Sequence, residues 1–280
     1  MATGGLWRTD QKAIRLRSAP TFETHMEFRK LLIHADDFGM CRSVNSAVAE
    51  SFERHAITSA SIMMPCPAAA EAVQLSLLHP EWDIGIHLTL TSEWKGLRWG
   101  PVAPPSLVPS LLDEDGYFWK NIDLFTAHAV PDEVSIEVDA QLNMAHAMGL
   151  QPSHIDCHMY SLFRNSTLFK LYAKAAERWN LGALGQRKPA APSKCFALQA
   201  ESRIDDFLSL YKGILLRNWP DVAQLTVHPG LDTPELRSIT RETRPWGAEW
   251  RQADFAVVSS EEFRNTIFDA GIPLVHWSAA

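Results

Sequence analysis

With 280 residues and an apolar fraction of 46%, the chain is long enough to bury a full core as one large α/β domain or two small ones. Its net charge of -7 is spread along the length, and no stretch gathers Lys and Arg into a phosphate-binding face, which excludes an evident nucleic-acid surface. No run of about 20 uninterrupted apolar residues is present, so no membrane span is expected. Cys41, Cys66, Cys157 and Cys195 never form a C-x-x-C pair and read as reduced thiols, consistent with a cytoplasmic protein.

Residues 1–27 mix charged and small residues without the apolar stretch of a signal peptide and read as a poorly ordered N-terminal arm. Residues 28–280 read as a single domain. Leu31 to Ala35 is a short apolar run ending in two carboxylates and the turn signal Phe38-Gly39, the pattern of a buried strand. A helix follows, capped by Ser43, with Val44, Ala47, Val48 and Phe52 forming its apolar stripe. Ile57 to Met63 reads as a second strand, Ala68 to Leu78 as a helix and Asp83 to Leu90 as a third strand.

The stretch 92–130 interrupts this alternation with Trp94, Trp99, Tyr117, Phe118 and Trp119 among stiffening prolines. An excursion this long fits a functional lid, in which Trp94 and Trp99 are candidate substrate-binding rings. The alternative is that the rings simply pack the excursion onto the domain.

Beyond it, Asp132 to Met148 is helical, Ser153 to His158 strand-like, and Ser166 to Trp179 helical with Ser166 as cap. Weaker strand signals lie at Leu181 to Arg187 and Val222 to Val227. The capping-box pattern Ser259-x-x-Glu262 opens a last helix before a final strand, Ile272 to Trp277. About seven strand and helix alternations predict an α/β fold with a parallel sheet. Chemical residues follow several non-adjacent strands, which favours a distorted, TIM-barrel-like (β/α) barrel. A dinucleotide fold would need a Gly-rich turn where Asp36-Asp37 stands.

Four places set ionisable groups at the ends of apolar strands, where burial without purpose is costly. Asp36 and Asp37 are adjacent carboxylates that need a cation or a shared proton to coexist at a dry site. His87 lies on the Gly85, His87, Thr89 face of its strand, with Gly85 leaving room beside the imidazole. Alternation aims His154, Asp156 and His158 to one side, a row that a metal with supporting hydrogen bonds explains better than a purely structural polar ladder. His228 precedes Pro229-Gly230 and is presented at a strand end as a ligand, a proton donor or a surface group. One carboxylate and two imidazoles make a three-ligand site with open positions, suited to a single divalent ion.

Taken together and in order, His-Ala-Asp-Asp-Phe-Gly, Gly-Ile-His-Leu, His-Ile-Asp-Cys-His and Val-His-Pro-Gly resemble the motifs of the YdjC-like carbohydrate deacetylases, from about Arg29 to near the C-terminus. The resemblance implies a barrel-like fold and metal-dependent removal of the N-acetyl group from an amino sugar or chitin-type oligosaccharide. It makes Asp37, His87 and His158 the metal ligands, Asp36 the catalytic base and His228 the general acid, with Zn²⁺ or Mg²⁺ as the ion. Arg187 is a further candidate for substrate binding, and a homodimer is compatible with the chain. His34 stands where the family has Asn, Cys157 where Ser is common, and Tyr160 where it has another His. Two other readings stay open: a metal-dependent hydrolase of a non-sugar amide or phosphoester, and a catalytically inactive sugar-binding relative, which the Tyr160 exchange keeps open and the intact Asp36 and His228 argue against.

Overall fold

The computed structural model describes residues 29–185, 192, 194–219, 221–241 and 245–277. The arm expected at 1–27 and the candidate Arg187 lie outside the described residues. The chain alternates strands and helices: β1 (Lys30–Phe38), α1 (Arg42–Glu53), β2 (Ser59–Ile62), α2 (Ala69–Leu78), β3 (Ile84–Leu88), α3 (Ile122–His128), α4 (Pro131–Ala147), β4 (His154–Cys157), α5 (Ser166–Trp179), β5 (Gly182–Ala183), β6 (Lys194–Ala197), α6 (Phe207–Leu215), β7 (Val222–Val227), α7 (Pro234–Thr240), α8 (Ala248–Val258) and α9 (Glu261–Asp269). The strands form one seven-stranded sheet in the order β5-β4-β3-β2-β1-β7-β6. Every pairing is parallel. The sheet curls into a TIM-barrel-like half-barrel with helices around it.

Parallel strands covered on both faces need nearly continuous burial, and β2, β3, β4 and β7 are buried throughout. The polar residues that alternate with apolar ones in β2, β4 and β7 are therefore buried as well, including Ser59, Ser61, His154, Asp156, Gln224 and Thr226. Because the strands share a direction, Asp36-Asp37 on β1, His87 on β3, His158 just after β4 and His228 just after β7 all reach one rim of the sheet.

Several local expectations are corrected. Ser43 lies inside α1, whose cap position is Cys41, and the Ser43 hydroxyl instead meets Thr233 and Glu235. Asn165 caps α5 by accepting from Leu168 N, and Ser260 caps α9 by accepting from Phe263 N, each one residue away from the predicted cap. The final strand reduces to a single bridge between Leu274 and Leu31. It sits beside β1 below the level where β2 begins pairing at His34, and Pro273 has no N–H to extend the ladder. Strand β6 and helices α6 to α8 carry no predicted counterpart.

Gly85 makes room for His154 on the neighbouring strand rather than for His87. A Cβ at position 85 would stand 2.4 Å from His154 Nε2. The His154 ring has no retreat: it stacks on Trp277 at 4.6 Å and meets the edge of His34 at 5.1 Å. Gly85→Ala is therefore expected to lower stability by about 1–3 kcal/mol through overpacking. Adding His154→Ala should relieve much of that loss, so the two effects, measured by denaturant unfolding, should fall well short of additive. Full additivity would show that the two groups do not compete for the same space.

Candidate active site

Adjacent residues in a strand normally face opposite sides, yet both acids of the Asp36-Asp37 pair enter the same site. The register shows how. Ala35 pairs with Ala60 while Phe38 pairs with Ile62, so β1 spends one residue more than β2 over the same span. This bulge re-aims the two side chains. Asp37 takes a left-handed backbone with φ 66°, a conformation that asparagine and aspartate adopt more readily than most residues. The turn is held by Met40 N donating to Asp37 O, Gly39 N donating to Asn45 Oδ1 and Met63 N donating to Phe38 O.

Three donors converge on the rim. Asp37 Oδ1 lies 3.5 Å from His87 Nε2 and 3.1 Å from His158 Nδ1. The Asp37, His87 and His158 donor atoms all fall within 4.8 Å of one another. Asp37 Oδ1 and His87 Nε2 are buried, with only the His158 and Asp37 contacts just given to answer them across the cluster. Orphaned buried acceptors and donors are costly. One carboxylate and two imidazole nitrogens pointing at a common centre are a donor set that fits a divalent ion with open positions. Asp36 stands beside them, its Oδ2 3.9 Å from His87 Nε2 and 3.7 Å from His228 Nε2.

Behind these groups lies a second layer of hydrogen bonds. His87 Nδ1 donates to Asp156 Oδ1 at 2.7 Å, which turns Nε2 toward Asp37. His34 Nε2 and the Ser61 hydroxyl both donate to Asp156 Oδ2, and His34 also meets Ser59. His158 is bounded on its other nitrogen by Glu93, with Nε2 3.2 and 3.1 Å from the two carboxylate oxygens. On the far side, Arg251 of α8 places Nη2 2.5 Å from Asp37 Oδ2 and donates Nε to Trp246 O. Asp254, one turn further along α8, accepts from His228 N and from the Tyr211 hydroxyl.

The charges sort themselves accordingly. Burial alone would raise the Asp37 carboxyl, but the Arg251 guanidinium and His158 hold it well below the usual carboxylate range. Asp36 has no guanidinium partner, and burial, with Asp156 and Asp37 nearby, pushes it up to about 7 against the opposing pull of His87 and His34. Burial opposes charge on His87 and His158, but Asp156 and Asp36 lift the first to about 9, and Glu93 and Asp37 lift the second to about 10. His228 goes the other way, lowered to about 3 by burial and by the neighbouring Arg251. His154, first in the row predicted to face the site, is likewise lowered to about 3, chiefly by burial, and is occupied by its stacking partner Trp277 rather than by the donor cluster.

The structure thus brings Asp36, Asp37, His87, His158 and His228 together. Trp94 and Trp99 are only 4% and 3% exposed and belong to the core, so they take the packing alternative. The Trp99 indole donates to Thr91 O, and its ring edge faces His158 at 6.3 Å. The partly exposed ring beside His228 is Trp246, at 4.6 Å. Tyr160, 44% exposed, places its hydroxyl 3.3 Å from Cys195 Sγ. Sequence reasoning missed Arg251, Asp254 and Glu93. The first two were detectable as charged residues in register with the buried Trp250, Phe255 and Val258 of one helix.

The YdjC-like protein family matches residues 30–269. The carbohydrate deacetylase of Brevibacillus brevis is 35% identical over 260 residues, spanning 89% of this chain and 98% of that protein. The carbohydrate deacetylase of Enterococcus faecalis is 26% identical over 270 residues, or 91% and 99% of the two chains. The match to the carbohydrate deacetylase of Thermoanaerobacter pseudethanolicus is 32% identical over 151 residues, 54% of this chain and 58% of that one, little more than half of each. A crystal structure from Enterococcus faecalis ascribed to cellobiose-phosphate cleavage superposes with a TM-score of 0.78 at 25% identity, covering 90% of this chain and all of that one. The chain belongs to the YdjC-like protein family.

Proposed function

We propose that this protein hydrolyses the acetamide of an N-acetylated amino sugar, with Asp37, His87 and His158 holding a divalent cation, Asp36 acting as base and His228 as acid. The observation that carries this reading is the placement of a carboxylate, Asp36, and an imidazole, His228, against a three-donor cluster. Asp36 Oδ2 lies within 4 Å of both His87 Nε2 and His228 Nε2. The names borne by the relatives supply the carbohydrate and the acetyl group.

When bound, a divalent cation held by the three donors would supply positive charge to polarise the acetyl carbonyl and lower the pKa of a water toward about 7. Asp36, raised to about 7, is matched to accept a proton from that water near neutrality. His228 enters the reaction neutral, so the proton it gives to the nitrogen must first reach it, and Asp36 Oδ2 is 3.7 Å from its Nε2. Water adds to the carbonyl carbon, the C–N bond breaks, the nitrogen leaves protonated and acetate is released. Arg251 keeps Asp37 ionised throughout and occupies Oδ2, which leaves Oδ1 for the cation.

The neighbour ascribed to cellobiose-phosphate cleavage favours a second reading, hydrolysis at a sugar phosphate. Incubation with a panel of N-acetylated sugars and sugar phosphates, scored for acetate and for phosphate release, separates the two. Asp36→Asn should keep Zn²⁺ bound while lowering acetate release roughly 10²- to 10⁴-fold, whereas His158→Ala should lose the metal. Near-native turnover by Asp36→Asn would refute the role given to that residue.

Arg251→Met should destabilise the metal-free protein by about 3–5 kcal/mol, because it strands the buried Asp37 carboxylate without its guanidinium partner. Zn²⁺ should restore a larger share of stability to this variant than to the unaltered protein in parallel urea titrations.

The imidazoles must shed their protons to take up a cation, and His87 and His158 hold theirs to about 9 and about 10. Apparent Zn²⁺ affinity should therefore climb as pH rises from 6 toward 9, with roughly one to two protons released per ion near pH 7.5. Calorimetry in buffers of different ionisation enthalpy reads that number; uptake without proton release would contradict it.

A further inference from the structure

The proposed reaction gives Glu93 no part, although it touches one of the three donor residues. Glu93 is the second residue of the 92–130 excursion and reaches back to His158, with both carboxylate oxygens within 3.2 Å of Nε2. Its side chain is 20% exposed and that of His158 6%, so the pair is shielded from bulk water. The neighbours on either side of Glu93 are fixed. Ser92 N donates to Trp119 O, the Ser92 hydroxyl accepts from Trp99 N, and Trp94 is buried in the core. The carboxylate is therefore presented to His158 by a tethered backbone.

The two imidazoles in the cluster face it with different nitrogens. His87 offers Nε2 because Asp156 takes Nδ1, whereas His158 offers Nδ1 because Glu93 takes Nε2. A neutral imidazole carries one proton on either nitrogen, and an ionised carboxylate accepts but cannot donate. In the neutral ring that a cation requires, Glu93 thus selects the tautomer with its proton on Nε2 and its Nδ1 lone pair free for the ion. A carboxylate behind a ligating imidazole both fixes the ring and raises its basicity.

We propose that Glu93 is a positioning residue that commits His158 to hold the cation through Nδ1, tying the 92–130 excursion to the cation site. This rests on the cation reading above, and the test separates the two.

Zn²⁺ affinity is measured by competition with a chromophoric chelator for the unaltered chain and for Glu93→Ala, Glu93→Gln, His158→Ala and Asp37→Asn. Nitrogen NMR of the His158 ring is recorded with and without Zn²⁺. Glu93→Ala is expected to raise the Zn²⁺ dissociation constant about 10- to 100-fold, and Glu93→Gln, whose carbonyl still accepts from Nε2, to recover part of that loss. The ring spectrum should show Zn²⁺ on Nδ1 and the proton on Nε2, giving way to mixed tautomers in Glu93→Ala. If Glu93→Ala fails to fold, the Gln variant and the ring spectrum decide. Affinities within about twofold of the unaltered chain in both Glu93 variants, or Zn²⁺ bound through Nε2, would overturn the assignment. Unchanged affinity in His158→Ala and Asp37→Asn would instead overturn the cation site itself.

Discussion

A carboxylate sealed from water has to be met by positive charge, and the rim of this sheet is organised around that requirement. Asp36, Asp37 and Asp156 all lie in the same small volume, and each is answered differently. Asp156 is balanced by His87 and His34, which hold it well below the usual range against the pull of burial. Asp37 is balanced on one oxygen by Arg251 and left open on the other. Asp36 meets only imidazoles, and burial leaves its carboxyl raised to about 7. Three identical side chains thus acquire three behaviours from their surroundings alone, which is how neighbouring groups of one type divide acid, base and ligand duties.

The fold serves this arrangement by delivering the groups from separate strands to one edge. Parallel connectivity puts β1, β3, β4 and β7 in a common direction, so residues far apart in the chain meet at the strand ends. The helices complete the set: α8 inserts Arg251 from one side and fixes the backbone of His228 through Asp254. From the opposite side the excursion brings Glu93 and the edge of Trp99 to His158. The reactive groups proposed here therefore sit on strands or directly at their ends, while several of their supports arrive from elements that the strand pattern does not announce.

What could be read from the residues followed from pattern strength. The apolar run Leu31 to Ala35 declared its strand, Val222 to Val227 gave a weaker signal because Gln224 and Thr226 interrupt it, and the helices at 131–147 and 166–179 declared theirs by periodicity. The ionisable residues at strand ends were legible because charge in an apolar run is conspicuous. Strand β6 was hidden because Lys194-Cys195-Phe196-Ala197 is a short, partly exposed edge. Helix α8 was hidden by Arg251 and Asp254, polar groups on its buried face whose partners are distant in the chain. The lining roles expected of Trp94 and Trp99 failed for a related reason: aromatic richness does not tell whether a ring faces solvent or core. The caps of α5 and α9 were displaced by one residue, since Asn165-Ser166 and Ser259-Ser260 each offer two adjacent capping side chains, and that of α1 by two.

The extra residue in β1 has a consequence for how this chain tolerates change. Because the two acids share a side only through that irregularity, a length change of one residue between Ala35 and Phe38 would realign the ladder and send one carboxylate toward the helical layer, into apolar packing. Point substitutions can tune the pair, but insertions and deletions there cannot be neutral. The segment behaves as a ratchet with a single permitted tooth, and a lineage that lost it would keep only one of the two acids at the rim.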